Sequence, residues 1–251
     1  MSIAVMQPYF FPYLGYFQLL HAADNLILYP HVQYVHRSFV SRNRYLRSQT
    51  EQPYFGPQIE KQGRRGLISG VKVRGNQEWR EKTLARIRNN YSRAPFFKQV
   101  EKLFSEIILY PSDFLAEINT YGILLICEYL GLEHKLDLNV GRYLEIEREL
   151  SLETQEKTDN SVALDEKHRR IIKLCTVNKT STYINPIGGK QIYNVDLLAR
   201  NNVKIRFLKS LLPAYPQQRV KSFVPAMSII DILFNCEKEH ILEMLNEYEI
   251  D

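Results

Sequence analysis

The first thirty or so residues show an apolar strand pattern, a helical pattern and a second apolar strand pattern, and this order constrains the fold more than any other feature. Ile3–Met6 is apolar enough for a strand, and Pro8 ends it because proline cannot donate to a sheet ladder. Tyr13–Ala22 is predicted to be a helix, and Asn25–Tyr29 a second buried strand. This order predicts a βαβ unit. We therefore expect a helix-rich α/β fold, with an N-terminal nucleotide-binding-like βαβ unit and a helical remainder.

The remainder of the chain is predicted to divide near its middle. Residues 150–166 are polar and aperiodic, which is typical of a linker. We expect an N-terminal α/β domain over residues 1–150 that carries an aromatic and Arg-rich site. A smaller C-terminal α/β part over residues 151–251 is expected to pack against it. Within that part, a final amphipathic helix is predicted from Met227 to Leu245.

Composition narrows the compartment and the classes of partner. The chain has 251 residues, a net charge of +5 and three cysteines, each in an apolar run. An odd number of widely spaced cysteines indicates a reducing compartment. The N-terminus lacks the features of a signal peptide, and no apolar run reaches the length of a membrane span. We expect a cytoplasmic protein without a membrane partner.

Aromatic residues crowd the turn between the first strand and the first helix. The rings are those of Tyr9, Phe10, Phe11, Tyr13, Tyr16 and Phe17, which follow Gln7. Such rings suit a sugar or a base, and open α/β sheets bind ligands beyond the carboxyl ends of their strands. A dense corner of the core explains the same rings equally well.

The beginning of the predicted helix resembles a known phosphate-binding turn. Tyr13-Leu14-Gly15-Tyr16 is similar to the His-x-Gly-His turn of nucleotidylyltransferases, with a tyrosine at each histidine position. The resemblance implies that Gly15 lets a phosphate approach the N–H groups at the helix N-terminus. Tyrosine cannot supply the chemistry of an imidazolium ring, so only the architecture is shared.

A second group of polar residues lies between positions 33 and 44. It contains Gln33, His36, Arg37, Asn43 and Arg44. Guanidinium groups bind phosphate or carboxylate in a bidentate manner, although surface arginines that only aid solubility are an alternative. A nucleic-acid partner is disfavoured, because the rings cluster near one turn instead of spreading along a basic face.

Two further groups follow in the second half of the chain. Tyr183 and Tyr193 flank the pair Gly188-Gly189, which indicates either a close backbone approach to a ligand at Gly189 or a plain turn. Asp231 lies in an apolar helical stretch, where a carboxyl group needs a partner or its pKa rises. It could act as a base or form a structural ion pair.

Signals for metals and for nucleophilic catalysis are weak. The six histidines form no cluster with cysteines or acids at the spacing of metal ligands. The sequence contains no Gly-x-Ser-x-Gly elbow. We predict no metal site, and the sequence names no cofactor.

Taken in order, these segments resemble the WbqC-like family over essentially the whole chain. The matching segments are Met6–Phe17, Val32–Tyr34, Arg37, Arg42-Asn43-Arg44, Asn90-Tyr91, Tyr183–Tyr193, Tyr215–Gln217 and Ser228–Asn235. One departure is Pro30-His31, where the family often carries two acids. If those acids bind a cation or act as a base, the departure puts that role in doubt here.

The resemblance implies an enzyme of surface-polysaccharide (O-antigen) biosynthesis. Its expected activity is transfer of an amino acid such as glycine, or a related acyl group, to the amine of a nucleotide-linked amino sugar. The donor would be an acyl carrier protein thioester or another activated acyl compound. The alternative is a non-catalytic nucleotide-sugar or glycan-binding protein of the same pathway. Asp231 or His36 is expected to accept the amine proton. The expected substrate-binding residues are Gln7, Tyr13, Gly15, Tyr16, Gln33, Arg37, Asn43, Arg44, Tyr183, Gly189, Tyr193, Tyr215, Gln217 and Asn235.

Overall fold

The computed structural model describes residues 1–60, 66–74, 76–156 and 165–251, and within these ranges the fold is α/β, as predicted. The strands are β1 (Ser2–Met6), β2 (Asn25–Leu28), β3 (Asn43–Arg44), β4 (Tyr54–Phe55), β5 (Gln58–Ile59), β6 (Val73–Arg74), β7 (Leu136–Asp137), β8 (Thr182–Pro186), β9 (Lys204–Ser210) and β10 (Tyr248–Ile250). The α-helices are α1 (Leu14–Ala22), α2 (Asn76–Tyr91), α3 (Phe97–Leu109), α4 (Leu115–Leu130), α5 (Val140–Glu156), α6 (Glu166–Val177), α7 (Val195–Arg200), α8 (Ile229–Asn235) and α9 (Lys238–Met244).

Six strands form one sheet in the order β10-β9-β8-β1-β2-β7. Neighbouring strands are parallel except β10, which is antiparallel to β9. The predicted βαβ unit is confirmed, because β1 and β2 pair in parallel on either side of α1 in the chain. The chain adds β2 and β7 on one side of β1, and β8 and β9 on the other. The strand order therefore reverses between β1 and β8, where doubly wound sheets form their ligand crevice.

Alternate strand residues enter two separate cores. Ala4, Leu26 and Ile184 belong to the larger core, while their neighbours Ile3 and Ile27 belong to the smaller one. This alternation follows from the two-residue period of a strand. Helices α1, α3 and α4 contribute to the larger core, and α5 and α6 to the smaller. The sheet is thus buried on both faces, as parallel sheets require.

The predicted linker and final helix need correction. Helix α5 continues through residues 150–156, and residues 157–164 of the predicted linker lie outside the described residues. The predicted helix from Met227 to Leu245 is two helices, α8 and α9, separated by extended backbone at Cys236 and Glu237. The sheet takes β1, β2 and β7 from the first 150 residues and β8–β10 from the rest. The division into two domains stays a prediction.

Candidate active site

The aromatic turn after β1 lies mostly in the interior. Phe10, Phe11, Tyr16 and Phe17 are at most 4% exposed, and only Tyr9 and Tyr13 are partly accessible. Phe11 contacts Phe10 edge-on at 4.9 Å and packs 5.1 Å from Phe104 of α3, measured between ring centroids. The rings therefore form a corner of the larger core, which is one of the two alternatives that the sequence left open.

Buried polar side chains hold the backbone of this turn. Asn43 donates to the carbonyl oxygens of Phe10 and Phe11 at 3.2 and 2.6 Å, and Ser228 donates to the latter at 2.8 Å. The Tyr16 hydroxyl donates to the carbonyl oxygen of Gln7 at 3.1 Å. A chain that leaves the sheet at a proline loses its ladder partners, so side chains must satisfy these carbonyl groups. Asn43, Tyr16 and Gln7 thus come together through structural contacts.

Gly15 lies against protein atoms. A Cβ atom at this position would lie 2.4 Å from Ser210 Oγ and 2.5 Å from the ring of Tyr13. The ring of Tyr13 and the Ser210 hydroxyl thus occupy the space next to Gly15 through which the sequence predicted that a phosphate would approach. The glycine permits close packing of α1 against the end of β9.

Asp231 is the centre of a buried hydrogen-bond cluster and is 1% exposed. Its carboxylate accepts from the hydroxyl groups of Tyr91 and Tyr215, both at 2.7 Å, and from Gln217 Nε2 at 3.0 Å. Burial raises its pKa, and the hydrogen bonds from Tyr215, Tyr91 and Gln217 act in the opposite direction. Asn235 donates to the Asp231 carbonyl oxygen at 2.7 Å. Three expected substrate-binding residues, Tyr215, Gln217 and Asn235, therefore lie around Asp231, and Tyr91 is a further partner of the carboxylate that the sequence did not indicate.

The residues in β8 and directly after it form a third packed group. The Tyr183 hydroxyl donates to Asn185 Oδ1 at 2.7 Å, and Tyr193 contacts the ring of Tyr183 edge-on at 6.0 Å. A Cβ atom on Gly189 would lie 1.8 Å from Asn185 Nδ2, so a side chain there would displace Asn185. Burial raises the pKa of Tyr183. The glycine pair lies in a single 3-10 turn, Ile187–Gln191, consistent with the turn alternative.

An open cavity of about 340 Å³ is lined by none of the residues in these three groups. We call it the arginine pocket. Its basic lining residues are His36, Arg37, Arg42, Arg74 and Arg86, and none of its described lining residues is Asp or Glu. No acidic group among the described residues lies within ion-pair distance of these four arginines. Four cations that face one cavity without a carboxylate leave it complementary to a multiply charged anion.

Two short strand pairs and one helix bring these arginines together. Strand β3 pairs with β4 so that Arg44 lies opposite Tyr54, and β5 pairs with β6 so that Gln58 lies opposite Arg74. The Arg42 guanidinium lies 4.0 Å above the Tyr54 ring, and its Nε donates to the Arg37 carbonyl oxygen at 2.9 Å. Arg86 projects from α2. The pocket therefore combines segments that are far apart in sequence.

Gly56 in the lining of the pocket cannot be replaced by a residue with a side chain. It has a φ of 149°, and a Cβ atom there would lie 2.4 Å from the Ser41 carbonyl oxygen. Both the backbone conformation and the space exclude a side chain. The glycine thus lets the chain after β4 lie directly against the Ser41–Arg42 backbone, which keeps Arg42 at the pocket.

The structure divides the predicted site residues into those at the pocket and those elsewhere. His36 and Arg37 line it, whereas Gln33 is exposed in a bridge to Leu67. Arg44 is not part of the lining, since its Nη2 donates to the Ala226 carbonyl oxygen at 3.4 Å. The sequence did not single out Arg74, Tyr54 or Arg86 as site residues. The sequence did contain one signal for Arg86, because the residues next to it along the chain include no Asp or Glu that could pair with it.

The described residues offer neither a metal site nor an activated thiol. No group of three His, Cys, Asp or Glu side chains within them is arranged to hold a metal ion. The three cysteines are buried and free, and burial raises the pKa of Cys175 and Cys236 to about 12. Within the same residues, no helix is both long enough and apolar enough to cross a membrane.

Comparison with known proteins agrees with the motifs. The family model described as the WbqC-like protein family matches residues 7–243. The chain is also similar to an uncharacterized protein of Mycobacterium tuberculosis (strain ATCC 25618 / H37Rv), Rv1507c, with 24% identity over 244 residues and 95% of each chain covered. No solved structure matches. Because the family model spans nearly the whole chain, this protein belongs to the WbqC-like protein family.

Proposed function

We propose that this protein binds a nucleotide-linked amino sugar in the arginine pocket and transfers an amino acid such as glycine, or a related acyl group, to the sugar amine. The observation that carries the proposal is the convergence of Arg37, Arg42, Arg74 and Arg86 on one open cavity without an acid in its lining. The reaction would belong to surface-polysaccharide biosynthesis and take place in the cytoplasm.

The lining of the pocket suits the diphosphate of such a substrate. Guanidinium groups present pairs of N–H donors that match phosphate oxygens, and charge-assisted hydrogen bonds are the strongest available. Tyr54 is 45% exposed and offers a flat ring beside the cations, on which a sugar can pack. This combination of several cations and one accessible ring supports a phosphorylated sugar over a simple dicarboxylate.

The transfer itself requires a second, activated substrate. The amine nitrogen attacks the carbonyl carbon of the donor and a C–N bond forms. The bond from that carbon to sulfur in a carrier-protein thioester, or to oxygen in an aminoacyl-adenylate, breaks, and the thiolate or the nucleotide leaves with the electron pair. His36 lines the pocket and would accept the amine proton. Asp231 is a poor candidate because protein donors surround its buried carboxylate.

A second candidate function is non-catalytic binding of a nucleotide sugar in the same pathway. The observation in its favour is that Asp231, one of the two expected bases, lies in a sealed cluster outside the pocket lining. His36 is then the remaining general base among the predicted catalytic residues. Binding and transfer are therefore tested separately.

Binding is measured by isothermal titration calorimetry with UDP-, dTDP- and GDP-linked amino sugars. Arg37→Ala is expected to weaken the best ligand roughly ten- to hundredfold, the effect of losing charge-assisted hydrogen bonds. Arg44→Ala is the matched control, since Arg44 lies nearby in sequence but not in the pocket lining, and it should change affinity less than threefold or so. If only nucleic acid bound, or if both variants had equal effects, the pocket would not be the nucleotide-sugar site.

Transfer is measured by mass spectrometry of the amino sugar after incubation with carrier-protein thioesters and aminoacyl-adenylates. The proposal predicts a mass increase equal to the acyl group, with its rate falling strongly in His36→Gln while binding is retained. Binding without a mass increase from any donor would favour the non-catalytic candidate.

A further inference from the structure

A second cavity of about 360 Å³ adjoins the arginine pocket. The two cavities share four lining residues, which are Gly56, Gln58, Arg74 and Arg86. The second cavity alone is lined by Glu78, Trp79, Lys82 and Thr83. We call it the tryptophan cavity. Two of the four arginines thus belong to the wall that both cavities have in common.

Most residues of the tryptophan cavity come from α2. Trp79, Lys82, Thr83 and Arg86 are spaced i, i+3, i+4 and i+7, which places them along a single helical stripe. Trp79 and Thr83 are buried at its base, while Glu78 and Lys82 are exposed and form an ion pair with each other. Apart from the shared Arg74 and Arg86, the cavity therefore offers neutral donors and acceptors and one ion pair, whereas the charged residues of the arginine pocket are all basic.

Each cavity alone lies near the small end of the roughly 300–1,000 Å³ range of ligand sites. A nucleotide-linked sugar has a polar group at each end and its negative charge in the middle. The shared wall carries Arg74 and Arg86, so a diphosphate bound there would direct one end of the molecule into each cavity. The sugar end belongs with His36 and Tyr54, because the proposed reaction requires its amine near His36.

Trp79 provides a donor that the described protein does not use. Its side chain is 6% exposed, and the buried indole Nε1 has no hydrogen-bond acceptor among the described residues. This nitrogen has less than 1 Å² of accessible surface, so a ligand reaches it only when the indole ring turns toward the cavity. A buried donor without a partner costs free energy, and a ligand group that accepts from it in that position gains affinity. A nucleobase edge presents carbonyl oxygens and N–H groups together, which match a lining of indole, hydroxyl, amide and carboxylate groups.

We propose that the tryptophan cavity is the nucleoside subsite and that Arg74 and Arg86 hold the diphosphate between the two cavities. This inference rests on the proposed function, since it assigns the two ends of the same substrate. The nucleoside end of the ligand lies along the Trp79–Arg86 face of α2, and the amino sugar occupies the arginine pocket.

The single tryptophan of the chain makes this subsite directly observable. Wild-type protein is titrated with UDP and, separately, with inorganic pyrophosphate, while tryptophan emission and calorimetric heat are both followed. UDP is expected to change the emission with the same midpoint as the heat. Pyrophosphate should compete with UDP in calorimetry and leave the emission close to that of the free protein.

Two variants test the contact itself. Trp79→Phe and Thr83→Val are each expected to weaken UDP roughly three- to tenfold, while the affinity for an amino sugar 1-phosphate stays unchanged. A folding defect would weaken both ligands, so the sugar phosphate is the internal control. Equal losses for both ligands in a variant that unfolds at the same urea concentration as the wild type would overturn the assignment.

Failure of this inference is distinguishable from failure of the proposed function. If the nucleotide sugar binds in calorimetry, but emission stays constant and both variants retain their UDP affinity, the nucleoside lies elsewhere while the arginine pocket retains its role. If no nucleotide sugar binds at all, the proposed function fails, and the subsite assignment fails with it.

Discussion

The aromatic turn with its Asp231 cluster and the arginine pocket differ in how their polar groups are satisfied. In the first region, Asp231, Asn43 and Tyr16 form hydrogen bonds to other protein groups, and their side chains are buried. In the second, Arg37 and Arg86 have no acidic partner among the described residues and face an open cavity. Internal satisfaction indicates a structural role, whereas like charges without counter-ions indicate that the counter-ion is a ligand.

Disrupting the buried Asp231 cluster should cause the largest loss of stability. Asp231→Ala leaves the Tyr91 and Tyr215 hydroxyl groups and Gln217 without their shared acceptor, so the free energy of unfolding should fall by roughly 3–5 kcal/mol. Urea unfolding measures this loss. Under conditions where the variant stays folded, nucleotide-sugar affinity should be nearly unchanged. A variant of full stability that no longer binds ligand would place Asp231 in the site instead.

The next effect concerns binding alone. Arg86→Ala should weaken the nucleotide sugar by roughly 1.5–3 kcal/mol, because Arg86 lines both cavities and its charge is lost from each. Its free energy of unfolding should change by no more than about 0.5 kcal/mol, since the side chain is exposed. Arg93→Ala is the matched control: it is also exposed, but lines neither cavity. Calorimetry that gives equal losses for the two variants would indicate only a general effect of net charge.

A smaller loss of stability is expected from a substitution that tests the structural role of the aromatic turn. Tyr16→Phe removes only the hydrogen bond to the Gln7 carbonyl oxygen and keeps the buried ring. The free energy of unfolding should fall by about 1 kcal/mol, while ligand affinity stays at the wild-type value. Denaturant unfolding and calorimetry on one preparation measure both quantities. Loss of affinity at unchanged stability would move the ligand to the turn.

The smallest expected effect is a pH dependence that comes from Asp231. Burial raises the pKa of its carboxyl group in the folded chain above the ordinary value of 3.8. As the pH rises above that value, the unfolded chain loses this proton first, so the contribution to stability declines until the folded group also ionises. The free energy of unfolding of the wild type minus that of Asp231→Asn should therefore decrease with rising pH. A difference that increases over this range would mean that the donors outweigh burial.

Local patterns predicted the βαβ unit because they follow from short-range physics. Alternation of side chains on a strand and a helix between two apolar runs are visible within about thirty residues. The break between α8 and α9 was missed because neither Cys236 nor Glu237 carries a strong helix-stop signal. The aromatic turn was ambiguous in principle, since a dense core corner and a ligand platform require the same rings.

Two of the five basic residues that line the arginine pocket, His36 and Arg37, were among the residues expected from the sequence, and the reason lies in how the pocket is assembled. His36 and Arg37 could be proposed because they are neighbours in an unusual polar segment. Arg74 reaches the pocket through a two-residue strand pair with Gln58, and Arg86 through the packing of α2. Strands this short leave no periodic pattern. Pairings between distant segments are set by the tertiary fold, so the convergence of these arginines could not be predicted from a single sequence.

Whether the nucleotide sugar binds in the arginine pocket is best decided by a crystal structure of the protein with a bound nucleotide-linked amino sugar. We expect density for the diphosphate between the guanidinium groups of Arg74 and Arg86, with the aromatic turn unchanged. A diphosphate bound at the N-terminus of α1, beside Tyr13 and Gly15, would contradict this expectation.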